Sequence, residues 1–179
     1  FGNGTWTNTP EGNEDVPINC ISWREARKFA HWVGGDLPSE TQWEFVARSG
    51  GIEQLLPWGE KKSSCRMALL GEDGAACGTF KLQPVCSRPK GNSLQGVCDM
   101  IGSIQEWTLD AYHISYKGAP KNQNPRCKIR SCQSKKVLRR VVRGGSWYDE
   151  PNDIYNTTRF AFAPDSRIVQ LGFRVLLSK

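Results

Sequence analysis

Arg143-Gly144-Gly145-Ser146-Trp147, followed by Pro164-Asp165-Ser166-Arg167 and Gly172-Phe173-Arg174-Val175, is the run around which the 179-residue chain is arranged. Two glycines ahead of a tryptophan predict a close backbone approach beside a large buried ring. The alternation of Phe173, Val175 and Leu177 predicts a closing strand with one apolar face. Between these ends lies a segment rich in Asn, Asp, Thr and Tyr, long for a loop yet bracketed by rigid elements. Binding groups are most often carried in that setting.

Working outward, 38% hydrophobic residues with 18 Gly, 10 Pro and 7 Trp describe a turn-rich globular chain. The expectation is one α+β domain spanning 1–179, not a bundle or a solenoid. There is no internal repeat and no apolar run long enough to cross a bilayer. The chain starts at Phe1 without an initiator Met or a signal peptide, as a mature product or an excised fragment would. Membrane attachment is expected only through an anchor preceding residue 1.

Seven cysteines are many for a cytosolic protein. Cys65, Cys77, Cys86, Cys98, Cys127 and Cys132 fall in loop-like sequence. Zinc is the rival to disulfides, but it favours C-x-x-C pairs or nearby histidines, and only His31 and His113 exist. Sequential pairing, Cys65–Cys77, Cys86–Cys98 and Cys127–Cys132, closes three short local loops, although six cysteines allow about 15 pairings. Cys20 is left over. This usage points to an oxidising compartment: export to a periplasmic, extracellular or outer-surface location.

The formal charge is +6. Much of it comes from Arg126, Lys128, Arg130, Lys135, Lys136, Arg139, Arg140 and Arg143. No stacking aromatics interleave these charges, so a nucleic-acid partner is not expected. A solvated, cross-linked loop leading into a strand accounts for them, and a patch for an acidic glycan, a membrane surface or nucleic acid is the other reading.

Residues 1–16 are polar and without periodicity, which reads as an exposed lead-in. Ser22 and Glu25 form a capping box, followed by Ala26, Phe29, Ala30 and Val33 on one helical face and by the stop Gly34-Gly35. Ser39 and Gln42 repeat the device ahead of Trp43, Val46 and Ala47, with Gly50-Gly51 as the stop. Pro57-Trp58-Gly59 predicts a turn. Asp99 to Trp107 predicts a tight turn entering a short strand, and Val137–Val142 and Thr158–Phe162 predict two more strands. Asn3-Gly4-Thr5 and Asn156-Thr157-Thr158 are glycosylation sequons on paper.

The blocks Val16-Pro17-Ile18-Asn19-Cys20-Ile21-Ser22-Trp23, Gly34-Gly35-Asp36-Leu37-Pro38-Ser39-Glu40-Thr41-Gln42-Trp43-Glu44-Phe45 and Arg143-Gly144-Gly145-Ser146-Trp147 resemble the formylglycine-generating-enzyme (sulfatase-modifying factor) domain. Asp99-Met100 to Glu106-Trp107 and Gly172-Phe173-Arg174 continue the match in order. The resemblance implies a variant of the C-type lectin fold: two helices, small antiparallel sheets and much irregular backbone. It also implies N-terminal strands that would precede Phe1. Aerobic enzymes of the family carry two cysteines after the Gly-Gly-Ser-Trp block that bind copper and oxidise a substrate cysteine. Here the matching positions are read as Pro151 and Asn156, and no cysteine follows Cys132. Neither residue supplies the sulfur that soft Cu(I) requires. Calcium is implied by the block Gly102-Ser103-Ile104-Gln105-Glu106-Trp107, where Ser103 replaces the family's Asn; the other reading of Glu106 is a buried hydrogen-bonding carboxylate.

Fold does not fix function, so three readings follow. The first is a non-catalytic ligand- or protein-binding module. Its face is Trp147, Tyr148, Asp149, Glu150, Asn152, Asp153, Tyr155, Asn156 and Thr157, with Ser166, Ile168 and Val169. Tyr and Asn favour such contact surfaces. This composition is compatible with the retroelement-diversified variable proteins of the same fold and equally with an ordinary polar loop. The second reading is an oxidoreductase or maturation enzyme acting on a thiol or peptide. The third is an accessory domain docking through Arg126–Arg143.

Overall fold

The structure is a computed structural model that describes residues 4–9, 12–114 and 139–177. The first helix, α1 (Trp23–Trp32), begins at Ser22, whose side chain accepts from the Glu25 amide while Glu25 accepts from the Ser22 amide. The same reciprocal cap at Ser39 and Gln42 opens α2 (Glu40–Ala47). Each box satisfies amides that the first helical turn would otherwise leave unpaired. At the end of α1, Gly34 takes φ +86°, a left-handed turn that lets the chain reverse into β1 (Gly35–Asp36).

The buried stripe of α1 is Trp23, Ala26 and Ala30. Phe29 and Val33, expected on that face, are 45% and 38% exposed. Trp23 displaces them: its ring is buried and its indole N–H donates to the Thr108 carbonyl at 2.8 Å, which fixes the helix rotation. In α2, Trp43 and Ala47 are buried and Val46 packs against them, as the spacing predicts.

Four further strands form one sheet in the order β4-β3-β2-β5, with β2 Gln105–Ala111, β3 Arg140–Arg143, β4 Arg159–Phe162 and β5 Leu171–Gly172. The β2–β3 and β3–β4 pairs are antiparallel. The β2–β5 pair is parallel, Gln105 against Leu171 and Glu106 against Gly172, where antiparallel pairing alone was expected. The continuous closing strand is also not formed: β6 (Leu176–Leu177) is a separate two-residue strand paired with β1. Phe173 and Val175 do pack against the main core, but Leu177 is 63% exposed. Trp23, Ala26, Ala30, Leu37, Trp107, Leu109, Val142 and Leu171 make that core.

Two of the expected disulfides are present, Cys65–Cys77 and Cys86–Cys98, each closing a sequence separation of 12. Each restricts the unfolded chain and adds about 2–4 kcal/mol. Cys20 is free. The third pair, Cys127–Cys132, and the basic residues Arg126 to Lys136 lie outside the described residues, as does Asn3 of the first sequon. No described helix is long and apolar enough to cross a membrane.

The loop after β4 is clasped onto the start of α1. Arg167 forms an ion pair with Glu25, Nη2 to Oε1 at 2.6 Å, and Trp23 donates its amide to the Pro164 carbonyl. Hydrogen bonds from Arg167, then from Ser22, hold the Glu25 carboxyl down at about 2 against an ordinary 4.5. A folded value below the unfolded one contributes stability above pH 4.5, lost as pH falls towards 2. An acid titration followed by circular dichroism is therefore expected to show a steeper loss across that window in the native chain than in Glu25→Gln. Coincident curves would remove Glu25 from the acid response.

Candidate functional site

Arg143, the last residue of β3, organises the segment that follows it. Its side chain is fully buried and pairs with Glu44 at 2.5 Å. The same guanidinium donates to the carbonyls of Asn156 (2.7 Å), Thr157 (3.0 Å) and Thr158 (2.9 Å). A second buried ion pair, Arg159 to Glu40 at 2.6 Å, ties the start of β4 to α2. The backbone of 156–158 is thus gathered onto α2 before any exposed side chain is considered.

Within 147–157, buried and exposed residues interleave. Trp147, Pro151, Ile154 and Asn156 are buried, whereas Tyr148, Glu150, Asn152, Asp153 and Thr157 are exposed. Ile154 packs with Leu56, Leu70 and Ile101, and half-buried Tyr155 joins that cluster. The Tyr148 ring lies 4.3 Å from that of Trp147, centroid to centroid. Asp149 closes the turn at its base by accepting from the Ser146 amide (2.8 Å) and hydroxyl (2.7 Å). Val169 packs against the same cluster as Trp147, so the two halves of the expected face do meet.

Several expected contact residues have structural duties instead. Asn156 is fully buried: its amide nitrogen donates to the Gln54 carbonyl at 3.1 Å, which removes it from any surface and closes its sequon to modification. Trp147 is 7% exposed and Asp149 is committed to its turn. Ile168 packs on the main core, and its carbonyl accepts from the Cys20 amide. Ser166 is half-buried in a turn with Ala163. The face that remains open is Tyr148, Glu150, Asn152, Asp153, Thr157 and part of Tyr155.

The implied metal sites do not fit the residues present. Glu106, 4% exposed, accepts from the Trp43 indole at 2.7 Å and from both Nε and Nη2 of Arg174 at 2.6 Å. Both carboxylate oxygens are engaged side-on by the guanidinium, so the charge that calcium would need is already compensated. Ser103 spends its backbone on Leu69 and Trp147, and its single hydroxyl cannot make up a calcium shell. Burial opposes the Arg174 charge, yet Glu106 outweighs it and holds the guanidinium above its ordinary value. At the two positions read as matching the copper ligands, Pro151 and Asn156 are both buried and neither carries sulfur.

One feature went unseen in the sequence. A cavity of about 740 Å³ is walled by Trp6, Ile18, Cys20, Phe29, Arg167 and Phe173, among others. The polar stretch expected as an exposed lead-in supplies one wall, held by Thr5, whose amide donates to the Asn19 side chain at 2.7 Å. No local pattern announces a cavity whose walls lie some 150 residues apart.

A profile of the sulfatase-modifying factor enzyme 1-like domain matches residues 3–179. An "inactive C-alpha-formylglycine-generating enzyme 2" of Bos taurus is 34% identical over 170 residues, covering 89% of this chain and 50% of that protein. The chain thus spans about half the length of that relative. Among solved structures, PvdO from Pseudomonas aeruginosa superposes with a TM-score of 0.74 at 27% identity, covering 95% of this chain and 63% of that one. Treponema denticola variable protein 1 gives 0.71 at 18% identity, covering 97% and 75%. These likenesses give the fold class expected above, a formylglycine-generating-enzyme-like variant of the C-type lectin fold.

Proposed function

The chain belongs to the sulfatase-modifying factor enzyme 1-like family, and within it we propose that residues 1–179 form a non-catalytic module binding a protein or peptide. The observation that carries this reading is the segment 147–157. It is braced through its backbone by Arg143, it contains no sulfur, and it presents Tyr148, Glu150, Asn152, Asp153 and Thr157 outward. A pre-ordered surface pays little entropy on binding, and Tyr with Asn gives contact area and adaptable hydrogen bonds. The relative named inactive and the likeness to a variable protein support it. The two disulfides support export to an oxidising compartment.

The test is capture of partners from a surface-protein extract on the immobilised chain, with a Tyr148→Ala/Tyr155→Ala variant alongside. Recovery of the specific partner is expected to fall at least about tenfold, because interface aromatics are frequent hot spots. A second arm supplies Cu(I), oxygen and a cysteine-containing peptide. No aldehyde is expected; its appearance would transfer the chain to the oxidising branch of the family.

A further inference from the structure

The second disulfide loop holds chemistry that the binding reading does not use. Cys86, Cys98 and Asp99 place two sulfurs and a carboxylate oxygen within 4.8 Å of one another. Cys86 is exposed, while Cys98 and Asp99 are half-buried. The 12-residue separation hides this set from a search for C-x-x-C spacing.

The geometry points to a redox-gated metal site: once reduced, Cys86 and Cys98 hold a zinc ion together with Asp99. The loop does not depend on the sulfur–sulfur bond to keep its ends together. Inside it, the amide of Gly91 donates to Arg88, Ser93 to Val97 and Gly96 to Ser93. From outside, the Leu94 amide donates to Ser49 Oγ at 3.0 Å and Arg88 Nε to the Cys65 carbonyl at 2.9 Å. Asp99 Oδ2 accepts from the Cys86 amide at 2.6 Å. Arg174, anchored on buried Glu106, donates to the carbonyls of Cys98 (3.2 Å) and Asp99 (3.3 Å). A dithiol made here stays paired.

The step balances with an external dithiol as reductant. Two electrons and two protons pass from it to the Cys86–Cys98 bond, which opens to two thiols, while the reductant closes its own disulfide. Zinc then displaces both thiol protons to solvent. Two thiolates and one carboxylate are ligands that zinc accepts, with water as the fourth. Two sulfur donors exclude calcium and favour zinc over magnesium. The Cys65–Cys77 pair is an internal control, because among the described residues no His, Cys, Asp or Glu side chain completes a three-donor set with it within 4.8 Å.

The experiment reduces the whole chain with dithiothreitol, removes the reagent under nitrogen, and measures iodoacetamide labelling of each cysteine by peptide mass spectrometry. Zinc chloride is expected to slow labelling of Cys86 and Cys98 at least about tenfold and to leave Cys65 and Cys77 unchanged. Asp99→Asn is expected to weaken that protection roughly tenfold. Absence of protection at Cys86 and Cys98 would overturn the inference, and so would equal protection at Cys65 and Cys77 or an Asp99→Asn variant that binds as before. Loss of the near-UV circular dichroism of the reduced chain overturns it too, since the loop must hold without its bond.

Discussion

Replacing Arg174 with Met is expected to lower the melting temperature by about 10 °C. Glu106 is 4% exposed and lies against Gly172 in the parallel β2–β5 pair. Its carboxylate is stabilised there by the two short bonds from Arg174 and the one from Trp43. Breaking one side of a buried pair leaves an uncompensated charge and costs about 3–5 kcal/mol. For a chain of this size each kcal/mol shifts the melting point by about 2–4 °C. Removing both charges behaves differently: Glu106→Gln with Arg174→Met recovers a large part of the loss, because the desolvation penalty of both ions disappears with them. A calorimetric double-mutant cycle reads the difference. Additive losses in the double variant would mean that the two side chains act independently.

The second large effect is at Gly102. Its φ of +74° is one that L-residues seldom adopt, and a Cβ there would lie 2.4 Å from the Leu69 carbonyl oxygen. The obstacle is backbone, which cannot swing aside. Gly102→Ala is therefore expected to cost about 3 kcal/mol or more, combining the left-handed conformation with overpacking. The consequence is not confined to stability. The Gly102 amide donates to Gly144, and the Ser103 carbonyl accepts from Trp147, so this turn sets the height of the Tyr148 surface. A thermal melt together with the capture assay should show both losses. A Gly102→Ala variant of native stability would mean that the turn relaxes without cost.

Local chemistry was the readable part of this chain. Both capping boxes, the glycine stops after each helix and the pairs Cys65–Cys77 and Cys86–Cys98 follow from residues near one another in sequence. Choices made by distant partners could not be read. Phe29 and Ala30 look equally suited to the core, and Trp23 docking on Thr108 decides between them. Asn156 looks like a surface hydrogen-bonder until Gln54, some 100 residues away, claims it. Glu106 read as a calcium ligand only through the resemblance of its block, and nothing near it in sequence announces Arg174, which meets it from 68 residues away. Alternation at Phe173 and Val175 was legible, but the parallel seat of Leu171–Gly172 was not, since nothing in a two-residue strand specifies direction.

Arg143 grips the peptide groups of residues 156 to 158, not their side chains. Thr157 can therefore be exchanged for almost any residue without loosening the grip, because every amino acid brings the same carbonyl. A lineage could rewrite such outward-pointing positions while inheriting the support intact, so novelty in recognition and heritable foldability are kept on separate atoms.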